Sequence, residues 1–409
     1  MRIGYDGTCL ANRRGFGRFA RRLLSAFVPR ATEAGHEVVV VIDAPSAASV
    51  EIPIGASPLV VDVRKAPSAA ASADGRRGLL DMLAMGRAVS RAKLDLMYFP
   101  ATYSFYPVWG VPRVVVTMHD TLTMEHPELV FPNRRGRLAW QLKEFVAIRS
   151  ADRIATVSET SKRFLMNRLP LPEDRFRVVS EAADPIFRPI DDPSTTAAAL
   201  ERYGIPRQGR FLLYVGGLSP HKNLVRLVEA FAVAAPDDVS LVLTGDFKDV
   251  FHTHVPEIRR AIAAAGVERR VILTGYVPDE DLAALYSRAY ALVFPSLLEG
   301  FGLPAVEAMA CGAPVVASRA GSLPEVVGDA GLFFAPLSVA DISRALRTIL
   351  DDPALRDGLA VAALRRASTF DWDRSAVDLL ACIEEFVPRR KVAGIPHLGR
   401  TTTTSRRSG

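Results

Sequence analysis

The sequence runs twice through the same alternation of short aliphatic stretches and helical patterns, and this repeated alternation limits the possible folds more than any other feature. In the first half, five apolar stretches are typical of buried strands, at 2–5, 37–42, 96–99, 113–117 and 153–157. Helical spacing of apolar residues separates them, as at 17–27 and 80–92, and an Ala-, Ser- and Gly-rich stretch at 66–78 predicts a loop. Strands that alternate with helices predict a parallel sheet covered on both faces.

The alternation restarts after a proline-rich break at 180–206. Six further apolar stretches predict strands, at 211–215, 240–244, 270–274, 291–294, 314–317 and 331–334. Helical patterns accompany them at 224–234, 279–287, 303–310 and 339–351. We therefore predict two doubly wound, Rossmann-like α/β domains that face each other across a cleft, with ligands at the carboxyl ends of the strands.

The predicted boundaries follow from this pattern and from the position of the prolines. The N-terminal domain spans 1–188, a linker spans 189–206, and the C-terminal domain spans 207–370. A helix at 371–388 is expected to pack back on the first domain, and 389–409 is expected to be a basic disordered tail. A length of 409 residues suits two domains, at about 150 residues each.

The net charge of +6 at first suggests a nucleic-acid partner, but the tail accounts for all of it. Six of the 51 basic residues lie in 389–409, which has no acidic residue, and the other 45 balance the 45 acidic residues. A nucleic-acid-binding protein carries its basic face on the folded domain. We therefore expect no nucleic-acid partner.

Several features favour a cytoplasmic location. No apolar run approaches the roughly 18 residues that cross a membrane, and the N-terminal residues lack the apolar stretch of a secretion signal. The three cysteines, Cys9, Cys311 and Cys382, are scattered, which argues against a disulfide framework or a structural zinc site.

The first candidate binding motif is the stretch that runs from Glu299 to Glu307. Gly300 and Gly302 precede a helix that has Pro304 in its first turn. Glycines at such a turn let backbone amides approach a ligand, and the helix N-terminus adds about half a positive charge. The motif suits a diphosphate, and the alternative is an ordinary strand–turn–helix with two solvated glutamates.

The second candidate motif, from Tyr214 to Asn223, again joins a strand, a glycine turn and a helix start. Lys222 falls near the helix N-terminus, where a cation is unfavourable unless an anion joins it. The alternative is a surface lysine, with Ser219 or Asn223 capping the helix. Two anion-binding turns at strand ends of one domain favour convergence on one diphosphate.

With these motifs in view, the second half closely resembles the donor-binding domain of family-4 retaining glycosyltransferases of the GT-B fold. The resemblance covers roughly 210–350 and is carried by 214–223, 273–278, Leu285, Tyr286, Ala289, 299–307, 311–317 and 321–325.

The resemblance implies roles for individual residues. Glu299 would hydrogen-bond the donor sugar, Glu307 the nucleotide ribose, and Lys222 the diphosphate leaving group. The donor-binding turns would contain Gly217, Gly300, Phe301, Gly302 and Leu303, and Tyr276 and Val277 would line the base pocket. Many relatives have an arginine where Gly217 stands, and His221 could substitute for it in part or could simply start a helix.

The first half resembles the family more loosely. Gly15-Phe16-Gly17-Arg18 matches the family's glycine loop, which faces donor and acceptor, and His119 stands where the family often has a histidine near the anomeric carbon. The loop is also a degenerate dinucleotide fingerprint, but it comes ten residues after Tyr5, too late for NAD binding. A histidine with a purely local role is the alternative at 119. Ser158 is expected to cap a helix at the cleft.

Two Asp-x-Asp triplets, at 279–281 and 371–373, could suggest a metal site. Each precedes an apolar helical pattern, where aspartate caps helices, so we predict no metal ligand.

Arg134, Arg135 and Arg137 precede a helical pattern and, with the arginines at 13–22, could form a positive face on the acceptor domain. Such faces bind anionic membranes, which would place the protein at the inner face of the plasma membrane, and a solvated helix face is the alternative.

The motifs and the resemblance predict a hexosyltransferase, and the resemblance implies that it retains the configuration at the anomeric carbon. It would use a GDP- or UDP-linked sugar, with mannose suggested by resemblance, and a glycan or lipid-linked acceptor in envelope or polysaccharide synthesis. Lys222, the amides and the helix dipole would stabilise the leaving group without a metal or another cofactor. A GT-B nucleotide-sugar epimerase, a phosphorylase, a non-catalytic sugar-nucleotide-binding protein and an NAD oxidoreductase remain as alternatives.

Overall fold

The computed structural model describes residues 1–12, 15–63, 78–131, 133–247 and 254–387. The predicted tail and nearly all of the predicted loop at 66–78 lie outside these ranges.

Two parallel sheets organise the described residues, and they confirm the predicted pair of doubly wound α/β domains. The first sheet has seven strands in the order β3-β2-β1-β4-β5-β6-β7, and the second has six in the order β10-β9-β8-β11-β12-β13. The strands are β1 Arg2–Asp6, β2 Glu37–Asp43, β3 Ala56–Val61, β4 Leu96–Phe99, β5 Arg113–Met118, β6 Arg153–Thr156, β7 Phe176–Val178, β8 Arg210–Val215, β9 Val239–Thr244, β10 Val271–Gly275, β11 Ala291–Phe294, β12 Val315–Ser318 and β13 Gly331–Phe334.

Helices cover both faces of each sheet. They are α1 Gly15–Glu33, α2 Ala44–Ala47, α3 Leu79–Arg91, α4 Leu122–Glu125, α5 Pro127–Val130, α6 Arg134–Ser150, α7 Glu159–Arg168, α8 Pro193–Arg202, α9 Leu224–Ala234, α10 Val255–Ala264, α11 Asp279–Arg288, α12 Leu303–Ala310, α13 Leu323–Val327, α14 Val339–Asp351, α15 Pro353–Ala367 and α16 Trp372–Glu384. The central strands are buried on both sides, which explains their continuous aliphatic sequences.

The strand order reverses at the centre of each sheet. In the second sheet, β8 pairs with both β9 and β11, so the chain leaves β8 and β11 at adjacent points on the same edge. Such a switch point opens a crevice at the carboxyl ends of the strands. The segments that follow β8 and β11 are the two motifs that the sequence analysis selected.

The sequence analysis predicted neither β3 nor β7, and it also missed several helices, among them α8, α10 and α15. Strand β3 is an edge strand that contains Pro58 and is largely exposed, and β7 has only three residues. The stretch 189–206, predicted as a linker, contains α8, which Asp192 caps and Pro193 begins. Its last residues bond to α11, because Arg202 and Tyr203 both donate to the Asp281 carboxylate.

The last helix, α16, lies against α1 of the first domain. Trp372 Nε1 donates to the Ala183 carbonyl at 3.0 Å, and Arg30 pairs with Asp373 at 3.0 Å. Asp371 caps this helix, as its Asp-x-Asp triplet predicts. Among the described helices, none is both long and apolar enough to span a bilayer.

Candidate active site

A cleft of about 750 Å³ lies between the carboxyl edges of the two sheets and is lined from both domains. Of the residues that the sequence predicted for the site, all but Gly17 line it: Gly15, His119, Gly217, Lys222, Tyr276, Val277, Glu299, Gly300, Phe301, Gly302, Leu303 and Glu307. Gly17 is buried behind the cleft, where an added Cβ would lie 2.0 Å from the Asn12 carbonyl oxygen. Its absent side chain therefore allows α1 to pack against the preceding loop.

Lys222 and Glu299 meet at the centre of the donor side. Lys222 Nζ donates to Glu299 Oε1 at 2.5 Å, and both side chains are largely buried. Lys222 follows β8 and Glu299 follows β11, and the pairing of these two strands brings the residues together. The predicted convergence of the two turns is thus present.

Asn223 fixes the backbone next to Lys222. It has a left-handed conformation (φ 62°) between a short 3₁₀ turn, Pro220–Lys222, and α9. Its amide nitrogen donates to the carbonyls of Pro295, at 3.1 Å, and Pro336, at 2.7 Å. Neither Ser219 nor Asn223 caps the helix through its side chain. The asparagine instead ties the lysine turn to the segments that follow β11 and β13.

His221 does not supply the positive charge that is missing because position 217 is a glycine and not an arginine. Burial lowers the pKa of His221 well below its ordinary 6.5, and the adjacent Lys222 lowers it further. The imidazole is therefore neutral at pH 7, and its Nδ1 lies 3.1 Å from the Ser219 hydroxyl.

The second turn opens α12 through a glycine in a left-handed conformation. Gly302 has φ 99° and immediately precedes α12, in which Pro304 lies in the first turn. An added Cβ at Gly302 would lie 2.6 Å from Leu323, so both the conformation and the close packing require glycine.

Glu307 lies on the second turn of α12, but its carboxylate is already engaged. It accepts hydrogen bonds from Arg18 of the first domain and from Tyr286. Arg18 also donates to Asp279 at 2.5 Å and stacks over Phe187 at 5.1 Å. A ribose that bonds to Glu307 would therefore share the carboxylate with an arginine from the opposite domain.

His119 is held by two acceptors. Its Nδ1 lies 3.1 Å from Glu181, and its Nε2 lies 2.9 Å from the Pro100 carbonyl. Burial lowers the pKa of His119, but the hydrogen bond and charge of Glu181 and the Pro100 carbonyl outweigh it and raise the pKa above its ordinary value. Because both partners accept, the ring is best satisfied as an imidazolium.

The first-domain side of the cleft combines aromatic rings with carboxyl groups. The rings of Phe16 and Tyr103 line it and stack nearly parallel, with their centroids 5.0 Å apart. The ring of Trp140 packs against Tyr103, with centroids 4.8 Å apart. We call these three rings the aromatic wall. Beside them lies Asp120, whose pKa is raised by burial and, to a smaller extent, by Glu299.

A small cavity of about 10 Å³ adjoins the aromatic wall and also reaches Asp120 and Glu144. Burial raises the pKa of Glu144, against hydrogen bonds from Thr123 and Trp140 that lower it. Within the described residues, no group of three or more His, Cys, Asp or Glu side chains is placed to hold a metal ion.

Several residues that shape the site had either no predicted role or a different one. Asn223 was considered only as a helix cap, and Arg18 only as part of the family's glycine loop and of a positive face. Glu181 follows a strand too short to recognise, and Ser161 lies on α7, which carries no motif of its own. Ser158 was predicted only as a helix cap, and it does cap α7.

The two sheets, the switch-point cleft and the paired glycine turns define a glycosyltransferase of the GT-B fold. The comparisons agree, since residues 14–186 match Glycosyltransferase Family 4 and residues 197–366 match Glycosyl transferases group 1. The chain belongs to glycosyltransferase family 4.

Several curated proteins are similar in sequence. The O-antigen chain mannosyltransferase B of Escherichia coli is 34% identical over 66% of this chain and 70% of its own length. The D-inositol 3-phosphate glycosyltransferase of Corynebacterium glutamicum is 30% identical over 71% of each chain. The serotype-specific mannosyltransferase WbdA of Escherichia coli is 33% identical, and the match spans only 33% of its length.

Among solved structures, Anabaena HepE in complex with UDP-glucose has a TM-score of 0.72 at 21% identity, over 94% of this chain and all of HepE. The sucrose-phosphate synthase of Thermosynechococcus elongatus has a TM-score of 0.70 at 20% identity, over 94% of this chain and 98% of its own. These likenesses support the fold.

Proposed function

We propose that this protein transfers a hexose, with retention at the anomeric carbon, from a nucleoside diphosphate sugar to a hydroxyl group of a glycan acceptor. The observation that carries the proposal is the meeting of Lys222 and Glu299 beside the glycine turn that opens α12. A cation, a helix N-terminus and a sugar-binding carboxylate then surround one position, as cleavage of a sugar–diphosphate bond requires.

The chemistry assigned to the donor side is stabilisation of the departing diphosphate. The bond between the anomeric carbon and the diphosphate oxygen breaks, and its electron pair stays on that oxygen. The acceptor oxygen bonds to the anomeric carbon, and its proton passes to the released diphosphate. Lys222 and the amides at the start of α12 offset the charge that develops, so the proposed reaction requires no metal ion.

Relatives suggest mannose as the transferred sugar, because two of them carry the name mannosyltransferase. HepE was crystallised with UDP-glucose, so we keep a UDP-linked donor as an alternative to a GDP-linked one. Tyr276 and Val277 line the cleft near Asp279, and we assign the nucleotide base to this end.

The acceptor side suits a saccharide. The aromatic wall offers aromatic surface on which the apolar face of a sugar packs. Asp120 and Glu181 line the same part of the cleft, and their carboxyl groups can accept hydrogen bonds from sugar hydroxyls. An acceptor in envelope or polysaccharide synthesis fits this chemistry.

The outer face of α6 supports a peripheral contact with an anionic membrane. Leu138, Leu142 and Phe145 follow one helical stripe and are each more than 60% exposed. Exposed arginines at 134, 135 and 137 occupy the first turn, where the helix dipole disfavours cations and an anionic surface would offset the cost. Co-sedimentation with phosphatidylglycerol vesicles but not with phosphatidylcholine vesicles would support this contact.

The decisive experiment screens a panel of nucleotide sugars by thermal shift, because a bound donor stabilises the fold by mass action. The stabilising donor is then incubated with saccharide and inositol phosphate acceptors, with and without EDTA. Transfer to a saccharide with retained anomeric configuration supports the proposal. Conversion of the donor sugar into its epimer without an acceptor would indicate an epimerase. Binding without any transfer would indicate a non-catalytic protein, and loss of activity in EDTA that magnesium restores would contradict metal independence.

A further inference from the structure

The loop before α12 is held in place by hydrogen bonds that serine hydroxyls donate to its carbonyl oxygens. Ser322 Oγ donates to the carbonyls of Glu299, at 3.1 Å, and Phe301, at 2.8 Å. The carbonyl between them, that of Gly300, accepts from Ser158 Oγ at 2.7 Å and from Ser161 Oγ at 2.9 Å. Ser322 belongs to the same domain as the loop, whereas Ser158 and Ser161 come from the first domain.

These bonds set the direction of the amides. In a trans peptide, the carbonyl of one residue and the amide of the next point in opposite directions. When the Gly300 carbonyl faces the two serines, the Phe301 amide must face away from them. The described part of the chain offers no acceptor to the amides of Gly300, Phe301 and Gly302, and all three residues line the cleft.

The first domain brings the serines to the loop through the N-terminus of α7. Glu325 of the second domain accepts from the backbone amides of Glu159, at 2.9 Å, and Thr160, at 2.7 Å. It also accepts from the Thr160 hydroxyl at 2.6 Å. A carboxylate at this helix end is favoured by the helix dipole, so the start of α7 docks between Glu325 and the glycine turn.

Gly300 permits this docking because it has no side chain. A Cβ at this position would lie 1.8 Å from the His119 carbonyl oxygen, which is backbone of the opposite domain. Any other residue would hold the domains apart. The same glycine also leaves the peptide free to rotate when the serines are withdrawn.

We propose that Ser158 and Ser161 are positioning residues that couple closure of the two domains to assembly of the donor site. Closure delivers their hydroxyls to the Gly300 carbonyl, and the Phe301 amide then turns toward the diphosphate or the sugar. The inference rests on the proposed function for the identity of the ligand, but the hydrogen bonds that carry it are independent of that function.

Variants at the two serines separate positioning from helix capping. Ser158 also accepts from the Ser161 amide at 3.0 Å and so caps α7. Aspartate at 158 keeps the cap, but its carboxylate cannot donate to the Gly300 carbonyl. Ser161 does not cap, so Ser161→Ala removes only the donated bond, and Ser161→Thr restores it.

The experiment measures steady-state transfer and, without donor, amide hydrogen exchange in peptides covering 298–305 and 320–326. For Ser161→Ala and Ser158→Asp we expect kcat to fall about fivefold to tenfold, the donor Kd to change less than twofold, and exchange to accelerate. Ser161→Thr should behave as the wild type. Wild-type turnover and exchange in Ser158→Asp and Ser161→Ala would overturn the inference.

The same measurements distinguish this inference from the proposed function. If the wild type transfers no sugar from any donor while exchange still accelerates in Ser161→Ala, the proposed function fails and the positioning role stands. If the wild type transfers sugar and Ser161→Thr is as slow as Ser161→Ala, the positioning role fails and the proposed function stands.

Discussion

The Lys222 ammonium donates to the Glu299 carboxylate at 2.5 Å, although 77 positions separate the two residues in the chain. The pair exists because β8 and β11 are neighbours at the switch point of the second sheet. Each side chain is about 15% exposed, and the two charges satisfy each other. Under the proposed function, an arriving diphosphate would compete with Glu299 for Lys222 and leave that carboxylate available to sugar hydroxyls.

The first prediction concerns Lys222. Lys222→Met removes the cation that meets the leaving group, and we expect kcat to fall about 10²–10³-fold, as when one transition-state donor is lost. Steady-state kinetics with the donor found in the screen checks this. Lys162→Met is the control, because Lys162 lies on α7, outside the cleft lining, and its ammonium pairs with Glu173. Wild-type turnover in Lys222→Met would remove Lys222 from the mechanism.

The second prediction separates the two glutamates. Glu299→Gln should lower sugar transfer without weakening affinity for the free nucleoside diphosphate, because Glu299 is assigned to the sugar and competes with the diphosphate for Lys222. Glu307→Gln should weaken that affinity by about tenfold, the scale of one hydrogen bond to a charged group. Calorimetric titration with the diphosphate measures both. Equal losses of nucleotide affinity would show that this division of roles is wrong.

The third prediction concerns Asn223. Asn223→Gly keeps the left-handed backbone and loses the bonds to Pro295 and Pro336, so the free energy of unfolding should fall by about 1–3 kcal/mol. Asn223→Ala should be less stable by about another 1 kcal/mol, since alanine strains the left-handed conformation. Urea unfolding measures both. Lys93, at φ 52°, is the control, and Lys93→Gly should not destabilise. An alanine variant as stable as the glycine variant would argue against strain at 223.

Much of the second domain could be predicted from the sequence because its information is local. Buried aliphatic runs specify the strands, and glycines before Pro304 specify the start of α12. The convergence of Lys222 with Glu299 followed from two such local motifs and the rule for parallel sheets.

What could not be predicted depends on contacts between distant segments. The Arg18–Glu307 pair spans 289 positions and requires the relative placement of two domains. The His119–Glu181 pair requires β7, whose three residues leave no recognisable pattern. The resemblance at 118–120 predicted a contact of His119 with the donor sugar, which stays a prediction, but it gave no sign of the bonds to Glu181 and the Pro100 carbonyl.

The fourth prediction follows from the raised pKa of His119. The folded protein retains this proton where the unfolded chain, with a pKa of about 6.5, releases it. The stabilisation is therefore complete below about pH 6.5 and is lost as the pH rises through the folded pKa. The difference in unfolding free energy between the wild type and His119→Gln should shrink from pH 6 to pH 9.

Urea unfolding at several pH values measures this difference. His126→Gln is the control, because the His126–Glu128 pair is 42% and 64% exposed and contributes little. A stability difference for His119→Gln that grows with pH would contradict an imidazolium in the folded protein.

The last prediction concerns Arg18, which bridges Glu307 and Asp279 across the cleft. Arg18→Met leaves the deeply buried Glu307 carboxylate without its cation, and the unfolding free energy should fall by about 3 kcal/mol. Arg18→Lys should recover only part of this, because an ammonium cannot match the planar fork that reaches two carboxylates.

The matched control for Arg18 lies on the same helix. Arg30 pairs with Asp373 at the surface, with the side chains 35% and 61% exposed, so Arg30→Met should cost at most about 1 kcal/mol. A double-mutant cycle with Glu307→Gln isolates the pair, and a coupling energy near zero would show that Arg18 acts through Asp279 and Phe187 alone. A coupling of 1 kcal/mol or more, about the lower range for directly contacting residues, would establish the bridge between the domains.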